Sequence, residues 1–144
     1  DADELLLMRQ HPEIGARIIG QHADGMLAMA HRIALSHHEK WDGSGYPAGL
    51  AGDAIPAAGR LMALADVFDA LISNKVYKDG VSHDRAVQII TEGRGAHFDP
   101  AVVDAFLEVH EVFRSIAVRH ADTNADMQQK IEYMANAIAE VAVL

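Results

Sequence analysis

Apolar residues recur at three- and four-residue spacing along almost the whole chain, which predicts helices; no strand-like alternation competes. Leu5, Leu6, Met8 and Arg9 fall in a short first helix, after acidic residues that suit a helix N-terminus. Pro12 is placed to open a second helix, with Ile14, Ile18 and Ile19 on one face and an end near His22. Met26, Met29, Ala30, Ile33 and Ala34 space a third, from about Met26 to His37. The pattern then stops between Glu39 and Ala57, where Gly43, Gly45, Pro47, Gly49, Gly52 and Pro56 mark a long loop. Loops of that length inside compact domains are often functional.

Periodicity resumes from Ala58 to about Ser73 through Leu61, Leu64, Ala65, Phe68 and Leu71. Ser82 is placed to cap the next helix, with Val81 as a staple and Ala86, Ile89 and Ile90 inward; Gly93 and Gly95 end it. Asp99 caps another helix opened by Pro100, whose inner face is Val103, Phe106, Leu107, Val109 and Phe113. A last helix, about Asp122 to Val143, carries Met127, Ile131, Met134, Ile138 and Val141 on one stripe. That heptad-like seam is too short for a stable isolated coiled coil and predicts a dimer or domain-completing contact, the alternative being a terminal cap packed on the domain's own helices. The expectation is an all-α helical bundle of about seven helices, with a domain over residues 1–120 and a C-terminal amphipathic helix over 121–144.

Half of the 144 residues are apolar, enough for a core, and there is no cysteine, which removes disulfides and thiolate metal sites. No stretch approaches a membrane span and Asp1 to Glu4 has no signal-peptide character, so the expected location is the cytoplasm. The net charge of −9 argues against a general DNA or RNA binder, while leaving room for a phosphate ligand held by metal ions and local cations.

Nine histidines are present, and two of them, His37 and His38, are adjacent where the third helix meets the loop. Neighbouring helical residues point about 100° apart, so two imidazoles there can serve a metal cluster from its edge. A solvated helix end is the alternative for such a pair taken alone. The pair opens the run His37-His38-Glu39-Lys40-Trp41-Asp42-Gly43-Ser44-Gly45-Tyr46-Pro47. That run resembles the HHExWDGxGYP motif of HD-GYP domains, a metal-dependent phosphohydrolase family. His11-Pro12-Glu13-Ile14-Gly15 resembles the family's HPxxG motif. Ile55-Pro56 through Arg60 and then Ala65-Asp66-Val67-Phe68-Asp69 resemble the segment that supplies a late aspartate. Ser73 to Lys78 resembles its SxRPYK run and His97-Phe98-Asp99-Pro100 its HFDP turn. The resemblance covers about residues 4–115.

The resemblance implies His11, His37, His38 and Asp66 as ligands of a divalent metal cluster of two or three ions, iron favoured over manganese. Imidazole with carboxylate suits either ion. It implies substrate contacts from Lys75, Lys78 and Tyr46, with Gly43 and Gly45 letting backbone approach the ligand. Lys75 stands where the family usually has Arg, which keeps the charge and loses the bidentate fork; both lysines could equally be a solvated helix end. Trp41 reads as packing rather than stacking on a purine. Asp69, one turn after Asp66, could support a ligand or simply cap or face solvent, and Arg60 could pair with one of these acids. His97 is expected to hold its turn. His22, His31, His83, His110 and His120 carry no functional expectation.

The dipeptide that names the family is absent before His11; His83-Asp84 is the sole His-Asp pair and comes too late. The expected reading is a domain truncated at its N-terminus, carrying roughly half of the ligands. Its metal site could stand empty, and it would be inactive or nearly so alone. The implied reaction is hydrolysis of cyclic di-GMP or a related cyclic dinucleotide to the linear dinucleotide or GMP. The parent would be a bacterial signalling protein with a receiver or sensor domain upstream. The alternative is a degenerate module that binds the dinucleotide without cutting it, or docks a cyclase.

Overall fold

The structure, a computed structural model, describes residues 2–73 and 80–120. Among these residues the fold is all-helical, with six α-helices and no strand. They are α1 (Ala2–Met8), α2 (His11–Ile19), α3 (Gly25–Ser36), α4 (Ala57–Ile72), α5 (His83–Glu92) and α6 (Pro100–Arg119), with a 3-10 turn at Gly52–Ala54. The expected helix from Asp122 to Val143, the division at residues 120 and 121, and the contacts from Lys75 and Lys78 lie outside the described residues. No helix among the described residues is long and apolar enough to cross a membrane.

Helix α4 is the spine of the bundle. It packs on α3 at one end and on α5 and α6 at the other, and α2 packs on α3. The hydrophobic core gathers Leu64 and Phe68 from α4, Ala86 and Ile90 from α5, Phe98 from the turn, and Val103 and Phe106 from α6. Phe68, Phe106 and Phe113 meet edge to face with centroids 5.3–5.7 Å apart, the arrangement their ring quadrupoles favour.

The caps fall where the residue types predict. Ser82 accepts from the Arg85 N–H at 3.3 Å, and Asp99 Oδ1 accepts from the Ala101 N–H at 2.8 Å. The other oxygen of Asp99 accepts from Arg60 Nη1 at 2.7 Å, tying the start of α6 to α4.

The apolar stripes are where structure and periodicity part. Ile14 and Ile18 of α2 are exposed, Ile18 at 81 %. Helix α2 instead buries Pro12 and Ala16, and Gly15 faces Ala34 of α3. Met26 and Met29 of α3 are exposed while Ala28 and Ser36 are buried. Leu61 of α4 is exposed, and Gly59 packs so closely on Ser36 that a Cβ there would collide with the serine side chain. Small residues let α2, α3 and α4 approach closely, and the large aliphatics are turned outward. Helix α2 also stops at Ile19, short of His22, whose imidazole Nε2 lies 2.9 Å from the Ile19 carbonyl. In α6, Leu107 and Val109 are exposed; Val103, Phe106 and Phe113 are joined inside by Ala117 and, at the same spacing, His110.

Candidate metal centre

His11 begins α2, and His37 and His38 follow directly on the last residue of α3. Packing of α2 on α3 brings the three imidazoles together, with one ligand atom from each within 4.8 Å of the others. His11 Nε2 lies 3.2 Å from His37 Nε2 and 3.0 Å from His38 Nε2. The far side of two rings is held by backbone: His11 Nδ1 is 2.6 Å from the Met8 carbonyl, and His37 Nδ1 is 3.0 Å from those of Ile33 and Ala34. A carbonyl can only accept, so these partners assign the proton to Nδ1 in both rings. Two unprotonated Nε2 atoms then face each other with no hydrogen between them. A cation at that point satisfies both lone pairs, and carbonyl-anchored imidazole is the support that metal-ligating histidines use. The donor set therefore fits a divalent ion.

Burial, together with the neighbouring His37 and His11, pushes the His38 imidazole down to about 4, against a smaller opposing pull from Asp66. It is neutral, and so able to bind a metal, through the physiological range. Asp66, on α4, is not one of the atoms within the compact triplet, but its charge also reaches Tyr46. Burial raises the Tyr46 phenol, and its ring stacks on His38 at 4.9 Å. The Arg9 guanidinium sits 5.2 Å from the Tyr46 centroid.

The loop is built on one buried acid. Glu39 is 2 % exposed, and its two side-chain oxygens accept from the N–H groups of Ala48 (2.8 Å) and Leu50 (3.0 Å). Asp42 accepts from Ser44 N and Oγ, which holds its carboxyl below the usual range. Trp41 and Asp42 donate their N–H groups to the carbonyls of His97 and Ala96, docking the loop on the turn before α6.

A family model described as HD domain matches residues 1–102. The chain belongs to the HD domain family. It is 58 % identical over 125 residues to a cyclic di-GMP phosphodiesterase of Vibrio cholerae, covering 83 % of this chain and 25 % of that protein. It is 46 % identical over 105 residues to the cyclic di-GMP phosphodiesterase response regulator RpfG of Xanthomonas campestris, covering 73 % of this chain and 28 % of that one. The crystal structure of a cyclic GMP-AMP-specific phosphodiesterase of V. cholerae superposes with a TM-score of 0.58 at 26 % identity, covering 89 % of this chain and 28 % of that one. The chain thus spans about a quarter of the length of the relatives it matches. HD-domain phosphodiesterases are metal-dependent, and this chain has histidine groups able to hold an ion.

Of the residues singled out in this HD domain's sequence, the fold brings together His11, His37, His38 and Tyr46, with Asp66 close enough to act on two of them. Gly45 has a use within the loop itself. A Cβ there would strike the backbone of His38, Glu39 and Lys40, so its bareness serves the loop's own closure. Gly43 takes a positive φ of 82°, which favours glycine. Arg60 does not pair with Asp66 or Asp69: its Nη1 donates to Asp53 and Asp99, and its guanidinium lies over the half-buried Trp41 ring. Those acids sit at the loop's end and at the cap of α6, which Arg60 reaches from the first turn of α4. Asp69 is exposed and lines a cavity with Ser73, His83 and Arg114, none of which belongs to the histidine triplet. His97 stacks on Phe98 in its turn. Sequence reading missed Glu39, whose place in the motif gave no sign of burial, and Arg9, which nothing but folding places over Tyr46.

Proposed function

We propose that this chain is the metal-binding part of an HD-GYP-type phosphodiesterase domain that opens cyclic di-GMP or a related cyclic dinucleotide to the linear dinucleotide or GMP. The observation that carries it is the facing Nε2 pair of His11 and His37, each ring fixed through Nδ1 on a backbone carbonyl. His11, His37, His38 and Asp66 are the ligands in this reading, for two or three divalent ions, iron before manganese. When bound, such ions supply an activated hydroxide and neutralise charge on phosphoryl oxygens.

The chain's own residues do the rest. Tyr46, kept protonated, offers a hydrogen-bond donor beside His38, and Arg9 adds a cation to an otherwise acidic chain. Lys75 and Lys78 contact the phosphates or guanine. Asp69, exposed and lining a separate cavity, fits a surface role better than support of a ligand; Arg60 supports the site through the loop it fastens. No His-Asp ligand pair precedes His11 in this sequence, so this chain alone turns over cyclic dinucleotide negligibly. In the parent it is a cytoplasmic output module behind a receiver or sensor domain, with a homodimer or a cyclase as further partners.

The test compares the chain and its parent protein, each loaded with Fe(II) or Mn(II), on cyclic di-GMP and 3′3′-cGAMP, with products resolved by chromatography. Hydrolysis by the parent, lost together with metal in His38→Ala, supports the reading. Metal uptake unaffected by His38→Ala would overturn the ligand assignment. A parent that binds the dinucleotide with metal and never cuts it is the non-catalytic module instead.

A further inference from the structure

A second group of ligand atoms lies away from the histidine triplet. His83 opens α5, and His110 and Glu111 are consecutive on α6. His83 Nε2 is 3.0 Å from His110 Nδ1 and 3.9 Å from Glu111 Oε1, and His110 Nδ1 is 3.6 Å from the same oxygen. A circle through a triangle with these three sides has a radius of about 2.1 Å, so a point exists at that distance from all three atoms. Zinc binds imidazole nitrogen at about 2.0–2.1 Å and carboxylate oxygen at about 2.0–2.2 Å.

A bare hydrogen bond between the two imidazoles accounts for one edge of the triangle only. It leaves the carboxylate oxygen at distances too long for a hydrogen bond to either ring. The same oxygen is also free to turn inward, because the cation Arg114 lies on the other one, Oε2, at 3.7 Å. His83 is fixed in place: its side chain is 10 % exposed, and its ring meets Phe68 edge-on at 5.8 Å. Among the described residues its Nδ1 is buried without a hydrogen-bond partner, so this ring is held by packing and lacks the carbonyl anchor of His11 and His37. His110 occupies a position on the inner stripe of α6 that a larger aliphatic could have filled. Glu111 is mostly exposed, which leaves its side of the triangle open to solvent, and His83 also lines the cavity beside Asp69 and Ser73.

We propose that His83, His110 and Glu111 form a second divalent-metal site, of a kind suited to zinc, with a fourth position left for water. Two imidazoles and one carboxylate suit a borderline transition ion rather than calcium or magnesium. The site is separate from the triplet. Asp66 acts on His38 and Phe68 touches His83, and two residues apart on α4 means about 200° apart around the helix. The two groups share no residue. An ion there ties the start of α5 to α6. His110 and Glu111 also lie beyond residue 102, where the HD domain match ends.

The experiment is zinc stoichiometry of the metal-stripped chain by equilibrium dialysis and elemental analysis, with zinc-dependent melting alongside. His83 is packed in the interior, so the variants are His110→Ala and Glu111→Gln, both in wild type and in His37→Ala/His38→Ala. The proposal expects His37→Ala/His38→Ala to keep one zinc that raises its melting temperature. Adding His110→Ala should remove that zinc, weakening it at least about 100-fold, and Glu111→Gln should weaken it by a factor of about 10 or more. Wild type and His110→Ala alone should differ by one equivalent, a comparison that stands even if the double variant fails to fold. Equal stoichiometry in wild type, His110→Ala and Glu111→Gln would overturn the second site while leaving the triplet untouched. A folded His37→Ala/His38→Ala protein that binds no zinc would do the same.

Discussion

His11 and His38 stand 27 positions apart, and their Nε2 atoms lie 3.0 Å from each other. One belongs to the first turn of α2 and the other to the chain just past α3, so the contact exists only because those helices pack closely through small residues. Replacing either imidazole should therefore cost metal rather than fold. We expect His11→Ala and His38→Ala to lose affinity for Fe(II) or Mn(II) by more than the roughly 10–100-fold typical of outer-shell partners. Far-UV circular dichroism should not change. A competition titration against a chromophoric chelator measures it, and affinities within twofold of wild type would sink the ligand role.

Acid should destabilise the metal-free protein through His38. Its folded-state value of about 4 lies below the ordinary 6.5, so the unfolded chain takes up the proton first as pH falls. The stability tied to neutral His38 is present above about pH 6.5 and is lost between about 6.5 and about 4. His97, also lowered by burial, acts in the same direction. Imidazole NMR titration of the metal-free chain should show His38 as the lower of the two midpoints; a His38 midpoint at or above 6.5 contradicts the geometry.

Glu39→Gln keeps the shape of a buried side chain and replaces one acceptor with an NH2 donor that must face the N–H of Ala48 or Leu50. An unsatisfied buried pair of this kind costs about 1–3 kcal/mol. Urea unfolding should show that loss, and hydrogen exchange should show faster exchange at Ala48 and Leu50. Unchanged protection at both amides would mean the loop is held by something else.

Gly59→Ala should cost about 1–3 kcal/mol by overpacking α4 on α3, because the new methyl meets the Ser36 side chain. Ser36→Gly in the same chain should recover part of that loss, giving a favourable coupling in a double-mutant cycle. Strictly additive effects would show that the two helices do not meet at these residues.

The order and kind of the described helices were legible in the sequence, because caps and breakers are local. Asp99 before Pro100, Ser82 before α5, and the glycines of the loop act within three or four residues of themselves, whatever the rest of the chain does. The candidate ligands were legible as candidates through motif resemblance, since His37 and His38 are adjacent and His11 sits in its own short motif. Which face turns inward was not legible in the first half of the chain. Periodicity follows the large aliphatics, whereas α2, α3 and α4 meet through Ala16, Ala28, Ser36 and Gly59, and close approach of backbones turns Ile18 and Met26 outward. The partners of Arg60, Arg9 and Glu39 depend on distances between helices and loop that no local pattern encodes. His83 and His110, 27 positions apart, look like two scattered histidines until α5 packs against α6. Sequence determined the described helices and the residue types that stand in the histidine triplet. Tertiary packing decided which atoms meet, because a metal-sized gap is set to tenths of an ångström by contacts distant in the chain.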